Sequence, residues 1–252
     1  MAVSPTGAGL ESLLPERWPK RPRRLASVVV STLVDRIVAG HFPPGTPLPP
    51  EPVLCETFDV SRTTIREAVK VLEEKGLVRA RQGSGTSVTD EDDWNLLDPM
   101  VLSATVRHDD ELRTLDQLVD VRQALESQMA AQAALAATDA DLREIEAVLE
   151  RLTAQTRTPE LFVETDVAFH ERVMTASGNR LGRAVVRTVH AEARTSLRYT
   201  GHPRPEDCEL SNAGHAEVYR CLLARDPDGA ASAMSTHILE AWRRRRPAPR
   251  SS

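Results

Sequence analysis

From residue 101 to residue 246 the apolar side chains recur every three or four positions, and nowhere do they settle into the strict alternation of a β-strand. Leu118, Val121, Leu125 and Met129 set the phase of one helix, and Leu142, Ile145, Leu149 and Leu152 that of the next. Phe162, Phe169 and Val173 mark a third, closed by Gly178 and Asn179, and further helices are predicted over 180–198, 211–225 and 228–245. A region so patterned buries its stripes helix against helix. It holds no glycine-rich phosphate loop, no Gly-x-Ser-x-Gly and no sheet to carry a dinucleotide site, which excludes the enzyme classes built on those motifs. Aromatic residues make up only 4% of the 252, a composition that favours helices over β-sandwiches.

The first ninety residues follow different rules. Leu25, Val29, Leu33 and Ile37 repeat every fourth position and predict a helix ending at Gly40. The stretch from His41 to Pro50 carries five prolines, which remove donors and restrict their neighbours, so it is a fixed connector. A short helix from Glu51 to Phe58 is followed by a tight turn at Asp59 and Val60. Ser61 then caps a helix running from Arg62 to Lys75, with Ile65, Ala68, Val69 and Leu72 on its inner stripe and Gly76 at its end. Residues 77–81 and 86–88, joined by a turn over 82–85, read as a β-hairpin. Three helices and a glycine-tipped hairpin make a winged helix-turn-helix. The outward start of its last helix presents Ser61, Arg62, Thr63, Thr64 and Arg66, donors suited to phosphates and base edges at a helix end that favours anions.

Charge divides along the same line. Residues 1–89 hold 12 Lys and Arg against 9 Asp and Glu, a net of +3, and the remainder 20 against 28, a net of −8. The asymmetry points to an anion-binding front end on an acidic body, although a net of +3 fits a solvated surface with scattered charge equally well, and the acidic body disfavours non-specific wrapping of DNA. Cys55, Cys208 and Cys221 form no Cys-x-x-Cys pair, which speaks against a disulfide framework and for a reducing cytoplasm. No apolar run is long enough for a membrane span or a secretory core. Residues 1–24 and 247–252 are expected to be disordered, 25–89 to read DNA, 90–100 to link with Trp94 and Leu97 docking on a neighbour, and 101–246 to form the helical domain.

Residues 25–88 resemble the DNA-binding domain of the GntR family. The resemblance lies in Pro44-Gly45, Leu48-Pro49, Glu51, Val60-Ser61-Arg62-Thr63, Arg66-Glu67-Ala68, Leu72 and Gly76-Leu77. It implies that Arg62, Thr63, Thr64 and Arg66 enter the major groove of double-stranded operator DNA while Gln82 and Gly83 approach the minor groove. Two half-sites, and hence a homodimer, are the usual way for one small reading head to gain specificity. Many members carry an arginine after the glutamate, where this chain has Pro52, a residue with no side-chain donor.

Polar residues interrupt the apolar stripes of the helical region at four points. Asp166 and His170, one turn apart, lie on the Phe162, Phe169 and Val173 face. His215 shares a stripe with Val218 and Leu222, and His237 sits among Met234, Ile238 and Ala241. Each alone is an ordinary satisfied core residue. Together, one carboxylate and three imidazoles would be satisfied by a shared divalent cation.

Residues 115–242 are similar to the ligand-binding domain of the FadR-like branch of this family. The similarity rests on Arg122 and Glu126, on Asp166 and His170 with Gly178-Asn179 following, and on His215 and His237. It implies that Asp166, His170, His215 and His237 ligate a metal, with Zn²⁺, Ni²⁺ and Mn²⁺ all suited to mixed nitrogen and oxygen donors. Arg122 has two readings, an ion pair with Glu126 one turn on, or a free fork for the carboxylate of an effector. A metal beside an arginine suits a small hydroxy acid, and the linker from Asp93 to Pro99 resembles that of galactonate-type sugar-acid regulators. Such a ligand set also occurs in metalloenzymes, but an enzyme would not explain residues 25–88. The resulting expectation is a mainly α protein, a winged helix-turn-helix followed by an all-helical ligand-binding bundle, acting as a regulator and not as an enzyme.

Overall fold

The computed structural model describes residues 22–81, 83 and 85–246. It divides into two compact units that meet between Trp94 and Asn95. The expectations for residues 1–21, for Gln82 and for 247–252 lie outside the described residues.

The first unit holds α1 (Pro22–Val38), α2 (Glu51–Phe58), α3 (Arg62–Glu74) and a hairpin of β1 (Val78–Arg81) and β2 (Gly85–Val88), paired antiparallel with Val78 opposite Val88. Residues 22–24, expected to be disordered, form the first turn of α1, and Leu25 is exposed while Val29, Leu33 and Ile37 are buried. The proline connector is tied to the hairpin, because Pro47 bridges to Ser87 and the Leu48 amide donates to the Thr86 carbonyl at 2.8 Å. Glu73 of α3 accepts from the Ala80 amide of β1 at 2.7 Å. The wing is thus hydrogen-bonded on both sides to the frame that holds α3.

The second unit is helical throughout its described residues: α4 (Pro99–His108), α5 (Arg113–Ala136), α6 (Asp139–Gln155), α7 (Pro159–Ala176), α8 (Arg180–Ala193), the short α9 (Leu197–Thr200), α10 (Pro205–Leu223) and α11 (Pro227–Arg245). The predicted 90–100 linker holds a 3-10 turn over Glu91–Asp93, and α4 starts within it because Asp98 accepts from the amides of Met100 and Val101. Leu97, expected to dock, is exposed, and Trp94 is half-buried. The helix predicted over 180–198 ends at Ala193, and that over 211–225 begins at Pro205, whose missing amide hydrogen suits a first turn.

The core gathers Leu115, Leu118, Ile145, Leu152, Phe162, Phe169, Val218, Leu222 and Met234 from α5, α6, α7, α10 and α11. Two polar locks hold α11 along α5. Asp116 accepts from the Trp242 indole at 2.8 Å and from Arg246 through both oxygens at 2.8 Å, and Arg225 donates to the Ala137 carbonyl at the end of α5 at 2.6 Å. One phase differs from its expectation. Val121 is exposed, because the inward face of α5 runs through Val119, Arg122, Glu126 and Met129. An ion pair occupies the positions where hydrophobicity alone would put Val121 and Leu125.

Candidate functional site

On the reading helix, the Ser61 hydroxyl accepts from the Thr64 amide at 3.2 Å and so caps α3. Arg62, Thr63 and Arg66 project outward, as does Gly83 at the hairpin tip with φ 82°, a conformation suited to glycine. Thr64 does not. Its side chain is buried and its hydroxyl lies 2.9 Å from Ser61 Oγ, since it is the residue that packs beside Ile65 on the inner face. Thr64 therefore fixes the cap instead of facing a groove. Arg66 sends Nε to both oxygens of Glu51 at 3.1 Å, an exposed pair that braces α2 against α3. Pro52 follows Glu51 in the first turn of α2, where a proline costs the helix no hydrogen bond.

Inside the bundle, three helices, α7, α10 and α11, deliver polar side chains to one point. One donor atom from each of Asp166, His170, His215 and His237 lies within 4.8 Å of all the others, and the three imidazoles are buried. Donors bound to one ion at about 2.1 Å lie up to about 4 Å apart, so this spread is close to that of a coordination sphere. His215 sits in the core against Phe169, ring centroids 4.5 Å apart, and neither of its nitrogens has a hydrogen-bond partner. Its Nε2 is 3.3 Å from Asp166 Oδ1 without hydrogen-bond geometry. A buried imidazole with both nitrogens unsatisfied costs stability unless a further group completes it.

The neighbouring ring is oriented from behind. Arg122 donates from Nε to Glu126 Oε1 at 2.6 Å and from Nη1 to the Tyr199 hydroxyl at 2.5 Å, and Glu126 Oε2 meets His170 Nδ1 at 2.6 Å. Burial alone would raise the Glu126 carboxyl, but Arg122 and His170 outweigh it and hold the group ionised, far below the usual carboxylate range. An ionised carboxylate only accepts, so His170 Nδ1 carries the hydrogen and, in the neutral ring, Nε2 is left with a lone pair. That Nε2 faces His237 Nε2 at 3.1 Å. A carboxylate behind a histidine whose other nitrogen points at a common centre is the arrangement that orients metal-ligating imidazoles.

Burial lowers the His215 and His237 pKa values below the ordinary histidine range, so both rings are neutral near pH 7 and able to ligate. Asp166, partly open to solvent, is held well below the usual carboxylate range: burial opposes this, and His215 with the other imidazoles overcomes it. Gly214 makes room for the cluster, since a Cβ there would lie 2.7 Å from His237 Nδ1. The donor set and its unsatisfied atoms fit a divalent cation.

Of the two readings of Arg122, the ion pair with Glu126 is the one found. The sequence reading missed Tyr199, which clamps Arg122 from 77 residues away, and His190, buried on α8 with its ring 5.6 Å from Tyr199. No motif spacing flags either residue. Burial depresses the His190 pKa well below the ordinary range, aided by Arg122. His190, His170 and Glu126 line a cavity of about 330 Å³ bounded by α5, α7 and α8.

A winged helix-turn-helix joined to a helical unit with a buried His and Asp cluster defines a regulator, and the family models agree. Residues 25–88 match the model described as "Bacterial regulatory proteins, gntR family", and residues 117–240 match the FCD domain. The chain belongs to the GntR family of DNA-binding transcriptional regulators, which are not enzymes. It is 31% identical to the galactonate operon transcriptional repressor of Escherichia coli K12 over 216 residues, covering 86% of this chain and 94% of that protein. It is 32% identical over 219 residues to the HTH-type transcriptional regulator YieP of the same strain, with 82% and 95% covered. Among solved structures, Lar, which controls the expression of the Listeria monocytogenes agr system, shares the fold at TM-score 0.51 and 17% identity, over 90% of this chain and 96% of that one. No helix among the described residues is long and apolar enough to cross a membrane.

Proposed function

We propose that this protein is a cytoplasmic transcriptional repressor that binds a palindromic operator as a homodimer. Its DNA affinity is controlled by a small carboxylate, a sugar acid, held beside a divalent metal ion in the helical unit. The observation that carries this reading is the convergence of Asp166, His170, His215 and His237 from α7, α10 and α11, with the His215 nitrogens unsatisfied. These four residues hold the ion, which is Zn²⁺, Ni²⁺ or Mn²⁺. When bound, it supplies a Lewis-acidic anchor for a carboxylate and an adjacent hydroxyl.

Arg122 acts through Glu126. Its guanidinium keeps Glu126 ionised, and Glu126 keeps the hydrogen on His170 Nδ1, so that Nε2 faces the centre. At the other end of the chain Arg62, Thr63 and Arg66 read the major groove from a helix fixed by the Ser61 cap, and the wing tip at Gln82 and Gly83 approaches the minor groove. An effector changes operator affinity only by as much as it prefers one conformation of the helical unit over another. The choice of a sugar acid is supported by the 31% identity to the galactonate operon repressor.

Gel shifts of the metal-loaded protein on a palindromic operator and on its isolated half-site test the reading, with galactonate titrated in. One dimer on the palindrome, far weaker binding to the half-site and a galactonate-dependent change in affinity are expected. Full-affinity binding as a monomer, or no response to any sugar acid, would overturn it.

A further inference from the structure

The cavity bounded by α5, α7 and α8 carries a guanidinium whose Nε finds no partner among the described residues. Two carboxylates line it, Glu126 and Glu171, and both are engaged. Glu126 is bound by Arg122 and His170, and Glu171 by Arg183 at 2.9 Å with Arg187 at 3.9 Å. Two arginines also line the wall, Arg187, which is exposed and faces Glu171, and Arg194, which follows α8 as its C-terminal cap. The Arg194 Nε is buried and has no hydrogen-bond partner. A guanidinium has only donors, so a buried N–H without an acceptor is a standing cost that an anion removes.

The rest of the wall narrows the chemistry. Val167, Met174 and Val186 offer apolar contact, while His190 presents a ring that can exchange hydrogen bonds with hydroxyls. At about 330 Å³ the cavity is at the small end of ligand sites, too small for a peptide. His170 belongs both to this wall and to the metal cluster, so a molecule here lies against the ion site.

We infer that Arg194 is a carboxylate-binding residue of this cavity, receiving the acid end of a short polyhydroxy carboxylate whose hydroxyls reach toward His190. This rests on the effector reading above and assigns the recognition of charge to Arg194 in place of Arg122. Arg122 is already committed to Glu126 and Tyr199 and does not line this cavity.

Calorimetric titration of the full-length, metal-loaded protein tests it, with gluconate and galactonate as probes and uncharged sorbitol as the control. Wild type binds at least one of the aldonates and not sorbitol. R194Q weakens that binding by about tenfold or more, the size of a lost charge-assisted pair, and R194K recovers part of it without the planar fork. Metal content and melting temperature stay at the wild-type level in both variants, which separates loss of a ligand contact from loss of the site. Aldonate binding unchanged in R194Q but lost in H170A would overturn the assignment of Arg194 and leave the metal-linked reading standing. Failure of wild type to bind either aldonate would overturn both.

Discussion

The two units of this protein use polar residues in opposite ways. In the reading unit the functional side chains sit on the outer face of one helix, are exposed, and have water as their alternative partner. In the helical unit Arg122, Glu126 and the three imidazoles are buried, come from four helices spread along the sequence, and compensate one another. An exposed arginine can be lost with little effect on folding, because its site was never desolvated. A buried charge cannot, since each member of the cluster compensates the next. The comparison therefore predicts that mutations in the first unit change DNA binding at constant stability, whereas those in the second change stability and ligand binding together.

The largest effect is expected at Arg122. Arg122→Ala leaves Glu126 buried with much of its compensation removed, and should destabilise the helical unit by about 3–5 kcal/mol, read as a lowered denaturation midpoint. A loss below 1 kcal/mol would mean that water reaches Glu126 and that the buried relay is not as described. Glu126→Gln is gentler on folding but removes the acceptor that fixes His170. Metal affinity measured by competition with a chelator should fall about 10–100-fold.

How far each unit was legible in the sequence follows from the same contrast. The reading helix is contiguous, and its cap, stripe and outward residues follow from spacing alone, apart from Thr64. Ser61 and Thr64 are both hydroxyl residues near a helix start, and only three-dimensional packing puts one outside and the other beneath it. In the helical unit the four candidate ligands showed because they break apolar stripes. Arg122 and Glu126 distorted that same signal: they occupy the inner face of α5 and push Val121 to the surface. Tyr199, His190 and Arg194 left no trace, since their roles depend on how α8 and α9 lie against α5, and periodicity carries no information on long-range pairing.

Arg62→Ala sharpens the comparison from the other side. Operator affinity should fall by about 1–3 kcal/mol, measured by gel shift at fixed salt, while the melting temperature stays unchanged because the side chain is exposed. A large loss of stability would place Arg62 in the frame of the domain and not on its reading face.

The mildest perturbation is pH. His190, His215 and His237 have pKa values lowered by burial, so the unfolded chain binds more protons than the folded one as pH falls below the ordinary histidine value of about 6.5. Their folded-state contribution is fully present above that value and is lost progressively below it. Denaturant melts of metal-free protein should show stability declining from pH 7 to pH 5 in the helical unit, with His190→Gln reducing the slope. A flat profile would mean that these rings are not held neutral by burial.

The central claim is that the buried cluster holds a divalent ion through which the helical unit senses its ligand, and one comparison addresses it directly. Metal content and sugar-acid-dependent operator binding are measured on wild type and on His215→Ala. Wild type should carry about one ion per chain and respond to the ligand, whereas the variant should lose the ion and the response while still binding operator without ligand. Full metal occupancy in the variant, or a wild-type protein that responds to its ligand with no metal present, would contradict the account.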